Sequence, residues 1–207
     1  MLKIYGRANS INVRKVLWAA DEVGETYVRE DWGRGYRPLN DPAFQALNPL
    51  GAVPVVDDDG FVLRESHVIV RYLADKFQRT DLYPDEKRTR FLIDAWMDWA
   101  GSDLYWGVRP VFLGQVVGQA PYTEPKLIEI AAAEWNRRMA QIDAHLSSSG
   151  PFIMGPMFTI ADIPIGLVVN RWMSIVFEKP ALPAVASYYE RLTERPAYQL
   201  HGRNGTP

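Results

Sequence analysis

The hydrophobic period of this chain changes once, near residue 80 of 207. Before that point, two-residue and 3.6-residue spacings alternate; beyond it, only the helical spacing remains. A segment that mixes strands with helices, followed by one of helices alone, reads as two domains of different class. An α+β domain is therefore expected over residues 1–80 and an all-α bundle over residues 86–207, joined through Thr80-Asp81-Leu82-Tyr83-Pro84-Asp85. An apolar content of 47% is ample for packed cores.

Within the first segment, Leu2 to Tyr5 predicts a short strand. Val13, Val16, Leu17 and Ala20 then recur at i, i+3, i+4 and i+7, the stripe of an amphipathic helix that ends near Gly24. Thr26 to Asp31 suits a second strand, and Asp41 to Ala46 a brief helix ahead of the Asn48-Pro49 turn. Val53 to Val56 and Phe61 to Leu63 flank Asp57-Asp58-Asp59-Gly60, a hairpin signature because Asp-Gly accepts the positive φ of a tight turn. The hairpin is preferred to a metal cluster, since a bare run of aspartates offers no ligand geometry. Val68, Ile69, Tyr72, Leu73 and Phe77 predict the closing helix of a βαβαββα unit.

In the second segment one long helix is expected from Arg88 to about Val117, with Trp96 in the core. Ile128, Ala132, Trp135, Met139, Ile142 and Leu146 mark a further buried seam. Thr159-Ile160-Ala161-Asp162 has the form of a capping box, flanked by Phe158 and Ile163 for a hydrophobic staple, which assigns Asp162 a structural role.

Composition excludes several classes of function. Twenty-three basic and 25 acidic side chains give a net charge of −2 with no basic face, so neither nucleic acid nor an anionic membrane is an expected partner. No apolar run reaches the ~18 residues of a transmembrane helix, and the start of the chain reads as a strand rather than a signal peptide, so the cytoplasm is the expected compartment. There is no cysteine, hence no disulfide and no protein thiol for catalysis; any sulfur chemistry must come from a substrate. His67, His145 and His201 lack metal-ligand spacing, and no phosphate loop or nucleophile elbow is present.

Three segments point instead to a small peptide. Pro54 cannot donate a ladder hydrogen bond, so a strand containing it leaves a backbone edge on which an extended ligand can pair. Gly6 to Lys15 is a polar loop running into a helix N-terminus, where free N–H groups and the helix dipole favour an anion; Ser10 or Asn12 can equally cap the helix there. Leu63-Arg64-Glu65-Ser66 lies at a second strand-to-helix junction, where Ser66 can take a carboxylate and Glu65 an ammonium, the two ends of an amino-acid head group.

On these residues the sequence resembles the glutathione S-transferase family along essentially its whole length. The motifs Ser10-x-Asn12-x-x-Lys15, Asn48-Pro49-x-Gly51-x-Val53-Pro54, Glu65-Ser66-x-x-Ile69-x-x-Tyr72-Leu73, the Thr159-to-Asp162 box and Arg195-Pro196-Ala197 stand in the family order. The pattern is nearest the bacterial and theta-like serine branch, which leaves Tyr5 as a buried strand residue. The resemblance implies a thioredoxin-like N-terminal domain, a cis bond between Val53 and Pro54, glutathione as co-substrate without a metal, and a homodimer. It also implies that Asn9, Val53, Pro54, Glu65, Ser66 and Arg37 contact glutathione, and that Ser10 and Asn12 are catalytic.

The implied chemistry is activation of the thiol. With a pKa near 8.5 a free thiol is mostly protonated at neutral pH, whereas the thiolate is the nucleophile. A hydrogen bond from Ser10, assisted by Asn12 or its amide, supplies about 1.5 to 3 kcal/mol, enough for one or two pKa units at about 1.4 kcal/mol each. Which of Asn9, Ser10 and Asn12 faces sulfur is left open, as is whether Arg34 or Arg37 meets the glycyl carboxylate or is merely solvated. The electrophile, hydrophobic or aromatic, or else a peroxide, is expected between the domains, with Trp106 and Arg109 as contacts. Two other readings stand beside this detoxifying enzyme: a non-catalytic binding protein of the same fold, and an assembly module like that of a translation elongation subunit.

Overall fold

The computed structural model describes residues 1–207, which divide into two compact units, Met1–Asp85 and Glu86–Pro207. The first unit runs β1 (Leu2–Tyr5), α1 (Ile11–Val23), β2 (Tyr27–Glu30), α2 (Pro42–Leu47), β3 (Val55–Asp58), β4 (Phe61–Arg64) and α3 (Ser66–Lys76). Its four-stranded sheet has the order β2-β1-β3-β4; β1 is parallel to β2 and antiparallel to β3, which in turn is antiparallel to β4. Together with the helical second unit, this is the expected α+β architecture with a thioredoxin-like first domain.

Local chemistry explains the elements. On β1 the side chains of Leu2 and Ile4 are fully buried while Lys3 faces out, the two-residue alternation of a strand covered on one face. α1 stops where Gly24 takes a left-handed φ of 76° and its N–H closes onto the carbonyls of Ala20 and Asp21. The β3–β4 turn uses positive φ at Asp59 (51°) and Gly60 (95°). The three aspartates go three ways: Asp57 accepts the Gly60 N–H, Asp58 holds Lys76 and Tyr72, and Asp59 meets the terminal amine.

One expectation is corrected in this unit. Pro54 is not in an edge strand; β3 starts one residue later and is internal, paired on both sides. The backbone left over lies just ahead of it, where neither the N–H nor the carbonyl of Val53 takes part in a backbone hydrogen bond. On α3 the buried stripe is Ile69, Val70, Leu73 and Ala74, while Val68 is 42% exposed. The predicted closing helix is present, and its packing against α1 decides which of its apolar residues face inward.

The second unit is helical: α4 (Lys87–Gly101), α5 (Asp103–Val111), a π-helical stretch (Phe112–Val117), α6 (Pro125–Ser149), α7 (Asp162–Ser174), α8 (Pro183–Leu192) and α9 (Pro196–His201). The single helix expected over 88–117 is thus three pieces. Ser102 leaves the helical basin (φ −107°, ψ −90°), and Pro110 withdraws a backbone donor just before the π-helical stretch. Trp96 is also corrected: Ile93, Met97 and Ala100 carry the buried face of α4, and Trp96 stays half-buried, 4.4 Å from the His145 ring.

The core of this unit centres on α6, where Trp135, Met139, Ile142 and Leu146 are buried as expected. At its N-terminal end Ile128 and Ala132 are only half-buried, and Ala131 takes the inward position. Gly107 of α5 lies so close to α6 that a Cβ there would stand 2.7 Å from the Trp135 nitrogen. α7 is buried on all sides from Asp162 to Trp172.

Its start is organised by Asp162, whose carboxylate accepts the N–H groups of Ile153 (3.0 Å) and Thr159 (2.8 Å) and the Tyr188 hydroxyl (3.0 Å). The carboxylate half of the expected capping box is present. The other half differs, because the Thr159 hydroxyl donates to Asp162 (3.4 Å) rather than capping a helix amide. Complete burial pushes the Asp162 carboxyl up to about 6, against the pull of those hydrogen bonds.

Candidate functional site

Strand register assembles the site. Glu30, Tyr5, Val55 and Arg64 are consecutive partners across β2, β1, β3 and β4 and form one transverse row. At that row β2, β1 and β4 end and β3 begins. Hence the loop after Glu30, the loop Gly6 to Ser10, the Val53-Pro54 segment and the Glu65-Ser66 junction all leave the sheet at the same end, though they span 60 residues of sequence. This is the end where every glutathione contact named from the sequence is carried.

The first loop is held close to the third segment by a glycine. Gly6 has φ 146°, and a Cβ there would fall 2.5 Å from Val13 and 3.1 Å from Val53. The Val53 segment is itself pinned from below. Buried Asn48 donates to the Ala52 carbonyl (2.8 Å) and accepts the Leu50 N–H (3.1 Å), closing the turn that delivers Val53 and Pro54. The Val53–Pro54 bond is cis.

Ser10 occupies the N-cap position of α1 and is 8% exposed, yet its side chain makes no capping bond. The hydroxyl is therefore available to another acceptor at a helix N-terminus, where a negative charge is favoured by up to about 2 kcal/mol. Asn9 is exposed, and Asn12 is half-buried one turn on.

At the second junction Glu65 precedes α3 with φ 70° and ψ 112°, a conformation that costs a non-glycine residue about 1 to 3 kcal/mol. Its carboxylate is exposed, while Ser66 is 7% exposed and opens the helix. Tyr5 is buried with Trp32, Phe44 and Val55 in a cluster beneath the loops, and burial raises its phenol above the ordinary value. It belongs to the floor of the site.

Arg37 is engaged elsewhere in this structure: its guanidinium is 3.1 Å from Glu30 and lies over the Trp32 ring. Trp106 and Arg109 are exposed on α5, Trp106 at 75%. A hollow of about 690 Å³ in the second unit, lined in part by Ile128, Asn136, Phe177 and Lys179, contains none of the site residues selected from the sequence. No grouping of residues fit to hold a metal is present, and no helix is long and apolar enough to cross a membrane.

Three features of the site were not seen in the sequence: the Asn48 clasp, the Gly6 approach, and a contact between Lys15 and His67 at 2.8 Å. Only the first had a local signal, since Asn-Pro before Gly is a turn signature.

Residues 9–76 match the family model for the N-terminal domain of glutathione S-transferases. The chain is 33% identical to glutathione S-transferase GstB of Escherichia coli strain K12 over 199 residues, 95% of each protein. The chain belongs to the glutathione S-transferase family. Among solved structures it is similar to a theta-class glutathione S-transferase from Xanthomonas axonopodis pv. citri, crystallised with glutathione bound. The identity is 39%, with 97% of this chain and 96% of that one covered and a TM-score of 0.90. A delta-class glutathione transferase from Nilaparvata lugens is 26% identical with a TM-score of 0.89 over 100% of this chain and 95% of that one.

Proposed function

We propose that this protein is a glutathione transferase whose residues 1–80 bind glutathione and whose residues 86–207 contribute the electrophile contacts. The observation that carries the reading is the transverse row of strand ends, from which Ser10, Val53 and Ser66 emerge together with their hydrogen-bonding groups unused by the chain. The Xanthomonas relative with glutathione bound supports the choice of ligand.

In this reading Glu65 meets the ammonium and Ser66 the carboxylate of the γ-glutamyl head, while Val53 pairs its backbone with the cysteinyl residue ahead of Pro54. Arg37 leaves Glu30 to meet the glycyl carboxylate. Ser10 and Asn12 donate to the sulfur and favour its anion; the proton lost by the thiol passes to solvent. The thiolate then attacks an electrophilic carbon near Trp106 and Arg109, forming a carbon–sulfur bond as the leaving group departs with its electron pair. With a peroxide as acceptor, sulfur attacks oxygen and the O–O bond breaks, giving the sulfenic acid of glutathione and an alkoxide that takes a proton to become the alcohol; a second glutathione thiol then attacks that sulfur, releasing water and forming glutathione disulfide.

The protein works in this reading as a cytoplasmic homodimer. Phe91 and Leu92 on α4 are 71% and 59% exposed beside a hollow of about 360 Å³ lined by Leu92, Ala95, Trp96, Trp99 and Gln141, an apolar surface of the kind that a second copy covers.

The test is titration with glutathione at several pH values while thiolate absorbance is followed in the ultraviolet. A bound thiol that ionises at least one unit below the free thiol supports the transferase. Binding with an unshifted thiol supports the non-catalytic carrier instead.

A further inference from the structure

Asn12 and Lys15 are three residues apart on α1 and so share a face. The Lys15 ammonium stands 3.1 Å from Asn12 Oδ1 and 2.8 Å from His67 Nε2, and Lys15 is only 4% exposed. His67 is the second residue of α3, directly after Ser66. One buried ammonium thus joins the opening turns of the two helices whose N-termini carry Ser10 and Ser66.

The donor inventory decides what each partner does. An ammonium has three donors and no acceptor, so both contacts must be accepted by the other side. His67 therefore presents a lone pair at Nε2 and holds its proton on Nδ1. Asn12 presents its oxygen to Lys15, which removes the usual ambiguity between the two ends of a side-chain amide. Its Nδ2, with two donors and no partner in the chain, is turned the other way, from the same first turn where the Ser10 hydroxyl also stands without a capping bond.

We infer that Lys15 is a positioning residue for the thiol: by holding Asn12 Oδ1 and bracing α1 on α3 through His67, it aims the Asn12 amide at the sulfur of bound glutathione. The inference rests on the glutathione reading above and deepens it. Ser10 and Asn12 become the two donors to sulfur, and exposed Asn9 becomes a bystander. Removing Lys15 lets the Asn12 amide rotate, so sulfur loses a donor and some nearby positive charge, while Val53, Glu65 and Ser66 still hold the rest of the tripeptide.

The experiment compares wild type, K15M, K15R, N12A and the K15M/N12A double variant for glutathione affinity, thiolate absorbance of bound glutathione at neutral pH, and kcat with an activated aryl halide. K15M and N12A are each expected to lower kcat and bound thiolate about tenfold, equivalent to about 1.4 kcal/mol, with affinity changed less than about threefold. K15R is expected to restore most of both, since a guanidinium can donate to both partners. The double variant is expected to be no worse than either single one.

Wild-type kcat and thiolate in K15M, or losses that multiply in the double variant, would overturn the inference while leaving the transferase intact. Wild-type protein that binds no glutathione, or binds it as the thiol, removes the reading beneath it as well. Should K15M fail to fold by circular dichroism, nitrogen NMR of His67 in the wild type decides: the Nδ1–H tautomer supports the Lys15 contact, and the Nε2–H tautomer excludes it.

Discussion

Two helix starts in this molecule carry a buried polar side chain and use it in opposite ways. At α7 the carboxylate of Asp162 is wholly buried and receives two backbone N–H groups and two hydroxyls. At α1 the Ser10 hydroxyl holds the N-cap position and receives or gives nothing within the chain. The first arrangement is closed and stabilises the fold. The second leaves a donor beside a helix dipole with no internal use, which is the condition for acting on a ligand. A polar side chain at a helix N-terminus is therefore diagnosed by what its hydrogen bonds reach, and its residue type alone does not separate the two roles.

The contrast can be broken or sharpened experimentally. The largest effect is expected at Asp162→Ala, which strands the Ile153 and Thr159 amides and the Tyr188 hydroxyl in a dry interior at about 1 to 3 kcal/mol per group. Urea denaturation should show a loss of at least about 3 kcal/mol. A loss below about 1 kcal/mol would place α1 and α7 in the same class after all.

A pH series refines the same site. Because the folded-state value of Asp162 is raised from 3.8 to about 6, its contribution to stability is fully present below about pH 4 and is lost as pH rises through about 6. Asp162→Asn cannot titrate, so the stability difference between wild type and this variant should shrink from pH 4 to pH 6 and then level off. A difference that grows over that interval would mean that the hydrogen bonds outweigh the burial.

Smaller effects belong to the open site. Ser10→Ala should cut turnover more than tenfold, at least about 1.4 kcal/mol in the barrier, yet shift the unfolding midpoint little because no capping bond is lost. A variant that loses stability and keeps turnover would make Ser10 a cap like any other. Ser66→Ala is expected to weaken glutathione binding by about three- to tenfold, the worth of one hydrogen bond, with turnover at saturation nearly unchanged. Equal losses of binding in both serine variants would erase the distinction between thiol donor and head-group anchor.

Much of the first unit was legible because its signals are local. Val13, Val16, Leu17 and Ala20 share a helix face through bonds four residues long, Gly24 ends that helix through its own φ, and Asp59-Gly60 turns the chain through two dihedrals. The misreadings at Trp96 and Pro54 required knowledge of a neighbour, whereas Pro110 in the expected 88–117 helix was a local signal. Trp96 has the size and spacing of a core residue, yet α4 turns Ile93 and Met97 inward instead. Pro54 signals missing ladder bonds, but only the sheet order shows that β3 is internal and that the unpaired backbone belongs to Val53.

For the candidate site, residue types and chain order were readable from the sequence, and their convergence was not. Ser10, Val53 and Ser66 announce an anion site, an extended backbone and a head-group anchor separately, each from its own short window of sequence. Only strand register sets Tyr5, Val55 and Arg64 in one row, and only the packing of α1 on α3 brings Lys15 within 2.8 Å of His67, 52 residues away. By itself the sequence determined most of the elements of the first unit, the family and the inventory of donors, because these depend on side-chain chemistry and short-range periodicity. The tertiary structure alone decided which donors are satisfied internally and which remain for a ligand, because hydrogen-bond satisfaction is a property of pairs of groups, and those pairs form only when distant segments pack.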